Sequence, residues 1–403
     1  MSVVLVDMIN RAFTILLLFV FAVISCKDDR SYCPVYDVSV NSAVPFLQID
    51  QYFTISNTIT LDSPDRGLTD AVSIRVEDET IILNDRRMNS FHVFDKTGRL
   101  LRSFNKEGNG PGEYLSSFRF DYREDTGEIL VYDSMKAKIL HYSTDGTFVN
   151  EDSVKVAPVG SFKYYQGKTY FDNKFNRFDG ENGFSVIVLD SLQNIVQQIL
   201  PYDTPWDLRI TPRESFFTVE DTLVYQPPFS QTVYSITKDG KCFERFSLDF
   251  GSHNLQESTV FMKHGSSVDY YNKLSESGAV LYLNYHEYRD YLYLDFSVRD
   301  IEYLALIRKS NGECLVLNID GNSCKSPYKP LAVKDNCFIT FDDSNPDSVR
   351  LLFLEVNLPA LDKNYTDLKD DSLAQAAHLV STSKSTKPSI VFLFLSPKVE
   401  TST

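Results

Sequence analysis

Apolar and polar residues alternate along most of the chain, and short polar turns interrupt the alternation. His92–Phe104, HVFDKTGRLLRSF, shows the repeating unit: an alternating run, a turn at Gly98 and a second alternating run. The further copies are Leu140–Asp152, Ser185–Leu200, Thr232–Leu248 and Tyr303–Ile319. Alternation with a period of two predicts a β-strand, and two such runs joined by a tight turn predict a β-hairpin.

The hairpins recur at a regular spacing. Gly98 and Gly146, in the first two turns, are 48 residues apart, and Gly240 follows 94 residues later with a degenerate turn at Gln193-Asn194 between them. Gly312 comes 72 residues after Gly240, which fits one period plus an insertion. A period near 47 residues is typical of a propeller blade, because solenoid repeats of this length are mostly helical. Counting the units predicts six blades, with seven as the alternative.

An aspartate recurs at the end of the strand that precedes each hairpin. The position is held by Asp85, Asp133, Asp172 and Asp295, and by Gln226 in the fourth copy. These carboxylates could form a ring of metal ligands, or they could accept hydrogen bonds from backbone N–H groups and fix a turn. The glutamine breaks the symmetry that a ring needs, so the sequence favours the structural role and predicts no metal.

The two ends of the chain supply the closing elements of the predicted ring. Asp367–Thr382 has the pattern of a short helix, and Lys387–Ser396 is a strongly apolar strand. Pairing of this late strand with Gln51–Leu61 would leave no open edge in the ring. The prediction is therefore an all-β, six-bladed β-propeller with one short C-terminal helix, spanning residues 46–403 as a single domain.

The N-terminus has the features of an export signal. Ala12–Ser25 is an apolar run of 14 residues, and a membrane-spanning helix needs roughly 20. The run ends in VISC, which resembles the lipobox of bacterial lipoproteins and makes Cys26 the lipidated residue. The sequence Cys26-Lys27-Asp28-Asp29 resembles a signal for the outer cell surface. We thus expect a signal peptide over residues 1–25 and a linker over 26–45, with a signal anchor as the alternative.

The net charge narrows the range of partners. The formal net charge is −15, which argues against nucleic acid or anionic lipid as partners because both are polyanions.

Five cysteines remain after Cys26, and no pair has the spacing of a zinc knuckle. They are Cys33, Cys242, Cys314, Cys324 and Cys337. Export permits a disulfide among the last three, and free half-buried thiols are the alternative.

The segment Val93–Tyr114 carries a family resemblance. Its end, Gly108-Asn109-Gly110-Pro111-Gly112-Glu113-Tyr114, resembles the GPGEY signature of the six-bladed, NHL-like propeller lipoproteins of gut bacteria. The resemblance extends to the lipoprotein N-terminus and to the late strand after Pro388. It implies a propeller fold and surface lipidation, and it implies no established reaction.

The same glycines invite comparison with a phosphate-binding loop. Such a loop needs Lys-Ser/Thr after its last glycine and then a helix. Here Glu113 follows Gly112, and the next residues alternate like a strand. The sequence therefore predicts a crossing between two blades, with glycines taking positive φ where the chain turns sharply.

Candidate ligand-binding residues lie in the fifth repeat. Tyr282–Phe296 is dense in tyrosine, which can stack on sugars or anchor a protein partner, and the polar insertion Ser252–Gly278 precedes it. The candidates are Tyr285, His286, Tyr288, Arg289, His264 and Tyr270. The alternative is that alternate tyrosines of a blade strand simply pack between sheets.

No sequence motif identifies a reaction. The pattern HExxH and a nucleophile elbow are both missing from the sequence, so no catalytic residue and no cofactor is predicted. The favoured function is a surface-exposed, outer-membrane lipoprotein that binds or scaffolds a glycan, peptide or partner protein, anchored only by its lipid. The alternative is a propeller lyase or hydrolase with an axial carboxylate, histidine or tyrosine.

Overall fold

The fold was analysed on a computed structural model of the chain. It describes residues 33–45, 53–62, 64, 72–76, 80–155, 160–173, 183–202, 215–219, 221–256, 267–288, 290–299, 301–318, 340–341, 349–355 and 389–397. The chain divides into two compact units, Met1–Pro34 and Val35–Thr403, and all described strands belong to the second. No helix within the described ranges is long and apolar enough to cross a membrane.

The described residues form 26 β-strands, numbered in chain order. They are β1 Val35–Asp37, β2 Val44–Pro45, β3 Phe53–Thr60, β4 Val72–Val76, β5 Thr80–Asp85, β6 Ser90–Asp95, β7 Leu100–Asn105, β8 Arg119–Arg123, β9 Glu128–Asp133, β10 Lys138–Ser143, β11 Phe148–Ser153, β12 Phe162–Tyr165, β13 Lys168–Asp172, β14 Gly183–Leu189, β15 Ile195–Tyr202, β16 Phe216–Val219, β17 Thr222–Tyr225, β18 Thr232–Ile236, β19 Cys242–Asp249, β20 Leu281–Tyr288, β21 Tyr291–Val298, β22 Ile301–Arg308, β23 Cys314–Asn318, β24 Thr340–Phe341, β25 Val349–Glu355 and β26 Ser389–Pro397.

The strands assemble into six sheets, numbered I to VI along the chain. Sheets I, II and III are β4–β7, β8–β11 and β12–β15, each in sequential order. Sheets IV and V are β16–β19 and β20–β23, each with one N-terminal strand added at its outer edge. Sheet VI has the order β24-β25-β26-β3. Four antiparallel strands in sequential order form a propeller blade, so the predicted all-β propeller is confirmed.

The first strands of successive sheets lie next to one another. β8 contacts β12, β12 contacts β16, and β16 contacts β20. These strands are therefore the inner strands of their sheets and surround a common axis, while β7, β11 and β15 lie at the outer edges of sheets I to III.

The number of blades with described packing is five. Sheets I to V contain described side chains, whereas sheet VI is described through its backbone pairing alone. The structure therefore shows five blades with packed side chains, and the predicted count of six, or of seven, is not confirmed.

Apolar side chains fill the spaces between neighbouring sheets. Between sheets I and II, Phe91 packs edge-on against Phe120 with ring centroids 5.3 Å apart. Between sheets II and III, Tyr132 packs against Phe171 at 5.1 Å. Separate apolar clusters join sheet III to sheet IV and sheet IV to sheet V. Sheets II, III and IV thus each bury one face against the sheet before and the other against the sheet after.

The N-terminal strands extend sheets formed much later in the chain. β1 pairs in parallel with β19, and β2 pairs in parallel with β23. β3 pairs antiparallel with β26, so an N-terminal strand and the last strand share sheet VI. Residues 35–45 therefore contain strands, although the sequence suggested a linker there, because short extended segments complete open sheet edges.

The insertion before the fifth repeat contains a helix that the sequence analysis missed. Helix α1, Ser267–Ser277, buries Tyr270 and Leu274, which are four residues apart and share one helix face. It ends before Gly278, whose φ of +68° is typical of a helix C-terminus. The predicted helix Asp367–Thr382 lies outside the described residues.

The five predicted hairpins are confirmed, and their turns share a local geometry. Gly98, Gly146, Gly240 and Gly312 have positive φ values of 74° to 91°, and Gln193 takes the same position with φ +62°. In the first turn, the Thr97 hydroxyl and N–H donate to Asp95 Oδ1. These bonds favour the ionised carboxylate and lower the pKa of Asp95 to about 2.

Asp85 and Asp133 have the predicted structural role, since each accepts a backbone N–H of the turn that follows it, whereas the described bonds of Asp172 join two sheets. Asp85 accepts the N–H of Met88 at 3.1 Å, and Asp133 accepts the N–H of Met135 at 2.9 Å. Asp172 accepts the hydroxyls of Ser215 and Tyr225 from the next sheet. Within the described part of the chain, no group of three or more His, Cys, Asp or Glu could hold a metal ion.

Cys33, Cys242 and Cys314 lie in the described residues and are half-buried. Cys242 and Cys314 are free thiols, and burial raises the pKa of Cys242 to about 11 and that of Cys314 to about 12. Cys324 and Cys337 lie outside the described residues.

The turn glycine of sheet II tests the packing between blades. A Cβ at Gly146 would lie 2.6 Å from Cγ of Phe104 in sheet I, with φ at +83°. Gly146→Ala should lower the free energy of unfolding by about 3 kcal/mol, which combines a left-handed backbone and overpacking. Gly167→Ala is the matched control, because φ is +76° and no atom lies within 4 Å of its Cβ. Urea denaturation should show a loss of only about 1 kcal/mol for the control, and equal losses would contradict this account.

Candidate functional site

Two predicted ligand-binding tyrosines lie in the interior. Tyr285 and Tyr270 are both fully buried. The Tyr285 ring packs edge-on against Phe217 and Phe246, at 5.4 and 5.2 Å between centroids. The proposal that these rings meet a ligand at the surface is therefore wrong. On β20, Tyr285 faces the space between sheets IV and V, as the packing alternative stated.

Tyr285 lies beside an ion-pair network that is centred on the carboxylate of Glu287. Glu287, in β20, accepts two hydrogen bonds from Arg245 of β19, at 2.6 and 2.8 Å, and one from Lys309 at 2.7 Å. Burial alone would raise the pKa of Glu287, but the bonds from Arg245 and Lys309 outweigh burial and lower it. The Tyr285 hydroxyl also lies 3.3 Å from Glu287 Oε2. This carboxylate joins two blades and has no accessible lone pair to offer a substrate.

The remaining predicted ligand-binding residues stay a prediction. The backbone of His286 and Tyr288 lies on β20, opposite Tyr293 and Tyr291 of β21. The side chains of His286 and Tyr288, and the residues Arg289 and His264, are outside the described part of the structure, as is Cys26.

The glycine-rich stretch forms the crossing from sheet I to sheet II, as predicted. We call residues 105–118 the corner segment, because it connects β7 to β8. The Gly110 N–H donates to Glu113 Oε2 at 2.7 Å, so a side-chain carboxylate occupies the site where a phosphate would need N–H donors. A Cβ at Gly108 would lie 2.1 Å from the same oxygen. The glycines therefore serve a close internal contact.

The corner segment is anchored to both sheets that it joins. Tyr114 is fully buried, and its hydroxyl donates to the carbonyl oxygen of Asn89 at 2.8 Å. Burial raises the pKa of Tyr114 to about 12. Lys136 donates to the carbonyl oxygens of Gly108 and Glu113 at 2.8 and 2.7 Å. Because these partners lie in the turns of sheets I and II, the segment is held on both sides.

The end of the corner segment is fixed by buried polar side chains. Leu115 N–H donates to Asp133 Oδ2 at 2.6 Å. The Ser117 hydroxyl lies 3.2 and 3.1 Å from the side-chain oxygens of Asn84 and Asn89, and the Asn84 amide donates to the Ser117 carbonyl. Every residue from Tyr114 to Ser117 except Ser116 thus has a described bond to sheet I or II, and this holds the next residue, Phe118, in place.

The Phe118 side chain, which follows these hydrogen-bonded residues, extends toward solvent. Its side chain is 47% exposed, and the guanidinium carbons of Arg86 and Arg119 lie 4.8 and 5.7 Å from its ring centroid. Met88 and Met135 are also exposed, at 37% and 73%. We call these five residues the Phe118 surface.

The five residues come from loops at the same end of sheets I and II. Arg86 and Met88 lie in the β5–β6 turn, Met135 in the β9–β10 turn, and Phe118 and Arg119 where the corner segment enters β8. Asn89, next to Met88, bonds Ser117, and Asp133 bonds both Leu115 and Met135. The turns and the corner segment are thus directly connected.

The Phe118 surface combines apolar and cationic groups in a way that suits recognition. Aromatic residues, methionine and arginine are the types that protein interfaces concentrate, and guanidinium groups pair with carboxylates through two parallel hydrogen bonds. Sequence analysis missed these residues because they lie 49 positions apart, from Arg86 to Met135. The sequence feature that could have pointed to Phe118 is an aromatic residue directly after a predicted inter-blade crossing.

Fold and surface together define a β-propeller with a rigid, partly apolar patch on one face. Residues 34–368 match the family described as "Domain of unknown function (DUF4934)", and the chain belongs to that family. No curated protein matches the chain.

Solved structures from Bacteroides are similar to this chain. A Bacteroides fragilis protein, named provisionally as exported, is 16% identical with a TM-score of 0.70, covering 89% of this chain and 98% of that one. A DUF4221 member from Bacteroides vulgatus is 11% identical with a TM-score of 0.54, covering 86% and 98%. These likenesses show the fold alone. A virginiamycin B lyase from Staphylococcus aureus has a TM-score of only 0.39, which carries no argument.

The Glu287 network offers a test of its structural role. Glu287→Gln should lower the free energy of unfolding by about 3 kcal/mol at pH 7, because it leaves Arg245 and Lys309 without a full counter-charge. Since the folded-state pKa is lowered, the stabilisation is present above the ordinary pKa of 4.5 and is lost as pH falls through the lower folded value. The difference between wild type and variant should therefore shrink below about pH 4.

The control is the exposed pair of Arg308 and Glu313, whose side chains are 44% and 70% accessible. Glu313→Gln should change the free energy of unfolding by less than about 1 kcal/mol. Urea denaturation across pH 3 to 8, as an approximate range set by carboxyl pKa values, distinguishes the two. A Glu287→Gln loss as small as the control would refute the structural role.

Proposed function

We propose that this protein is an exported, lipid-anchored β-propeller that acts as a non-catalytic binding module at the cell surface. Its binding site is the Phe118 surface, and its partner is a protein or peptide with acidic side chains around an apolar anchor. The observation that carries the proposal is the half-exposed Phe118 ring beside two arginines, on a segment that is hydrogen-bonded to both neighbouring sheets.

The composition of the surface supports a protein partner over a sugar. The guanidinium groups of Arg86 and Arg119 already lie near the Phe118 ring, so the ring presents less free face for stacking on a sugar. Exposed methionines at positions 88 and 135 are flexible apolar groups that adapt to a polypeptide partner. Interface hot spots are likewise rich in aromatic residues and arginine.

Charge favours an acidic partner at this surface. The chain carries a net charge of −15, so most of its exterior repels an acidic protein. A cationic patch on an acidic molecule orients such a partner, because like charges penalise every other approach. The arginines of the Phe118 surface therefore contribute specificity as well as affinity.

Rigidity lowers the entropic cost of binding. Side chains and loops that become ordered on association reduce affinity, and a preorganised site avoids part of this loss. The residues just before Phe118 are already hydrogen-bonded to Asn84, Asn89 and Asp133. A ligand therefore meets a ring that the fold has already positioned.

The enzyme alternative receives less support from the described carboxylates. Asp85, Asp133, Asp172 and Glu287 each hold backbone or side-chain donors within the fold. A general acid or base must reach a substrate proton. Catalysis by a lyase or hydrolase mechanism therefore remains the second candidate, and turnover during binding assays is its test.

The finer architectural and cellular assignments belong to the same proposal. Sheet VI, with its order β24-β25-β26-β3, would serve as a sixth blade that closes the ring. The provisional export of the Bacteroides fragilis relative supports export of this chain. Cys26 would carry the lipid, and the acidic residues that follow it would direct the protein to the outer surface of the outer membrane.

Phe118→Ala tests the binding surface. The variant should lose binding to acidic peptides by at least tenfold, because an anchor side chain of this kind contributes about 2 kcal/mol. Binding is measured by screening purified protein on peptide and glycan arrays, followed by titration of the strongest peptide. Binding should weaken as salt increases, since the arginines act through charge.

Leu192→Ala is the matched control, because Leu192 is a 74% exposed turn residue of sheet III. It should bind like wild type. Binding that is unchanged in Phe118→Ala, or a strong preference for neutral glycans, contradicts the proposed partner. Conversion of a bound array component would instead support the enzyme alternative.

Cys26→Ser tests the lipid anchor. Cells that express the wild-type gene with a labelled fatty acid should incorporate label into this protein, whereas the variant should incorporate none because the thiol is missing. The variant should also leave the membrane fraction. Cys33→Ser controls for loss of a nearby thiol and should remain labelled. Retention of label in Cys26→Ser would rule out lipidation at this cysteine.

A further inference from the structure

The outer edges of sheets IV and V are each covered by a strand from the N-terminal part of the chain. β1 pairs in parallel with β19 of sheet IV, with Val35–Asp37 opposite Ser247–Asp249. β2 pairs in parallel with β23 of sheet V. Neither added strand is next in sequence to the sheet that it extends. The outer edge of a sheet in this fold therefore accepts a short extended segment from elsewhere.

β1 shows how such a segment is held. Tyr36, in the middle of β1, is buried and packs edge-on against Phe246 of β19, with ring centroids 5.8 Å apart. Its neighbour Val35 is 57% exposed, because successive side chains of a strand point to opposite faces. After β1, the Val38 N–H donates to the carbonyl oxygen of Asp249 at 2.7 Å. Backbone hydrogen bonds and one inserted side chain thus hold the added strand.

The outer edges of sheets I and II carry features that oppose a further strand. At the start of β7, the Leu100 N–H already donates to Asp62 Oδ2 at 2.9 Å, and the strand contains Arg102. β11 contains Glu151 and Asp152. Charged side chains on an edge strand discourage pairing with another chain. These two edges are thus partly protected.

The outer edge of β15, in sheet III, differs from both. β15 is the last strand of its sheet, so no described strand pairs with its outer edge, and none of its eight residues is charged. Ile195 and Val196 are 38% and 49% exposed. Leu200, with φ +56°, and Pro201, which has no N–H, end the regular part of this edge. Ile195–Ile199 therefore forms an uncharged, partly apolar edge that suits pairing with an added strand.

The hairpin turn of sheet IV, which lies beside β15, presents paired charges to a partner. Gln197 Nε2, on β15, donates to the carbonyl oxygen of Gly240 in this turn at 2.6 Å. Each lysine of the turn forms an ion pair with an aspartate, which compensates its charge. These pairs are Lys241–Asp239 at 3.0 Å and Lys238–Asp221 at 3.3 Å. This side of the edge therefore favours an uncharged segment over an acidic or a basic one.

We propose that the outer edge of β15 binds an extended, uncharged segment of a partner protein, which adds a fifth strand to sheet III as β1 does to sheet IV. Backbone hydrogen bonds along Ile195–Ile199 supply affinity, and alternate apolar side chains of the segment supply selectivity by covering Ile195 and Val196. This edge lies on a different sheet from the Phe118 surface, so either site can fail without the other.

Titration with a model strand tests this edge. The probe is the peptide Thr-Val-Thr-Val-Thr with blocked ends and an uncharged dye, and its binding to the purified full chain is followed by fluorescence polarisation. Val196→Lys should weaken binding by about tenfold or more, because a charge on an edge strand opposes pairing. The matched control is Val149→Lys, at the second position of β11 and 51% exposed. It should bind like wild type.

Modified peptides test how the segment is recognised. The same peptide with every backbone nitrogen methylated has no N–H to donate and should lose binding by about tenfold or more, since main-chain hydrogen bonds supply the affinity. Glutamate or lysine in place of each threonine should also weaken binding. Unchanged binding of the methylated peptide, tighter binding of either charged peptide, or equal binding by Val196→Lys and wild type overturns the proposal.

A further pair of measurements needs no folded variant. Hydrogen exchange of the wild-type protein, read by mass spectrometry, should slow several-fold in β15 when the peptide is bound and stay unchanged in β11. Equal protection of both strands, or none in β15, overturns the proposal. Sedimentation of the wild-type protein checks for self-association. A dimer that protects β15 without added peptide would assign the edge to a second copy of this chain and would also overturn it.

Discussion

The structure depends on burial of both faces of each sheet against its neighbours. A four-stranded sheet has two apolar faces and cannot bury either one alone, so stability requires the next sheet in the ring. Aromatic contacts carry much of this burial, from Phe91 against Phe120 between sheets I and II to Phe246 against Tyr285 between sheets IV and V. The period near 47 residues is the length of chain that one such unit needs.

This constraint explains why the polar groups of the interior are structural. Where the chain crosses between sheets, its backbone loses the regular partners of a strand, and buried donors and acceptors need other partners. Asp133 supplies them for the corner segment, and Asp172 accepts hydroxyls from the following sheet. Glu287 accepts from two cations, Arg245 of β19 and Lys309 just beyond the end of β22. These buried carboxylates therefore join neighbouring sheets.

In such a fold, we assign function to side chains that do not take part in the packing between sheets. The outward-facing Phe118 follows a segment that is hydrogen-bonded to sheets I and II. Arg86 and Arg119 lie beside its ring on a chain whose net charge is −15, so the charge of this patch differs from that of the chain as a whole.

The sequence by itself determined the repeat, the five hairpins, the crossing at the GPGEY stretch and the structural role of the aspartates. These are local features, because alternation, glycine at positive φ and carboxylates near backbone N–H groups act within a few residues. Only the tertiary structure decided that Tyr285 and Tyr270 are buried, that β1 and β2 complete later sheets, and that the insertion contains a helix. It alone placed Arg75, Asp121 and Lys163 together, and Phe118 beside Arg86 and Arg119. The physical reason is that closing a ring of sheets juxtaposes residues from different repeats, and no periodicity along the chain encodes which of them meet.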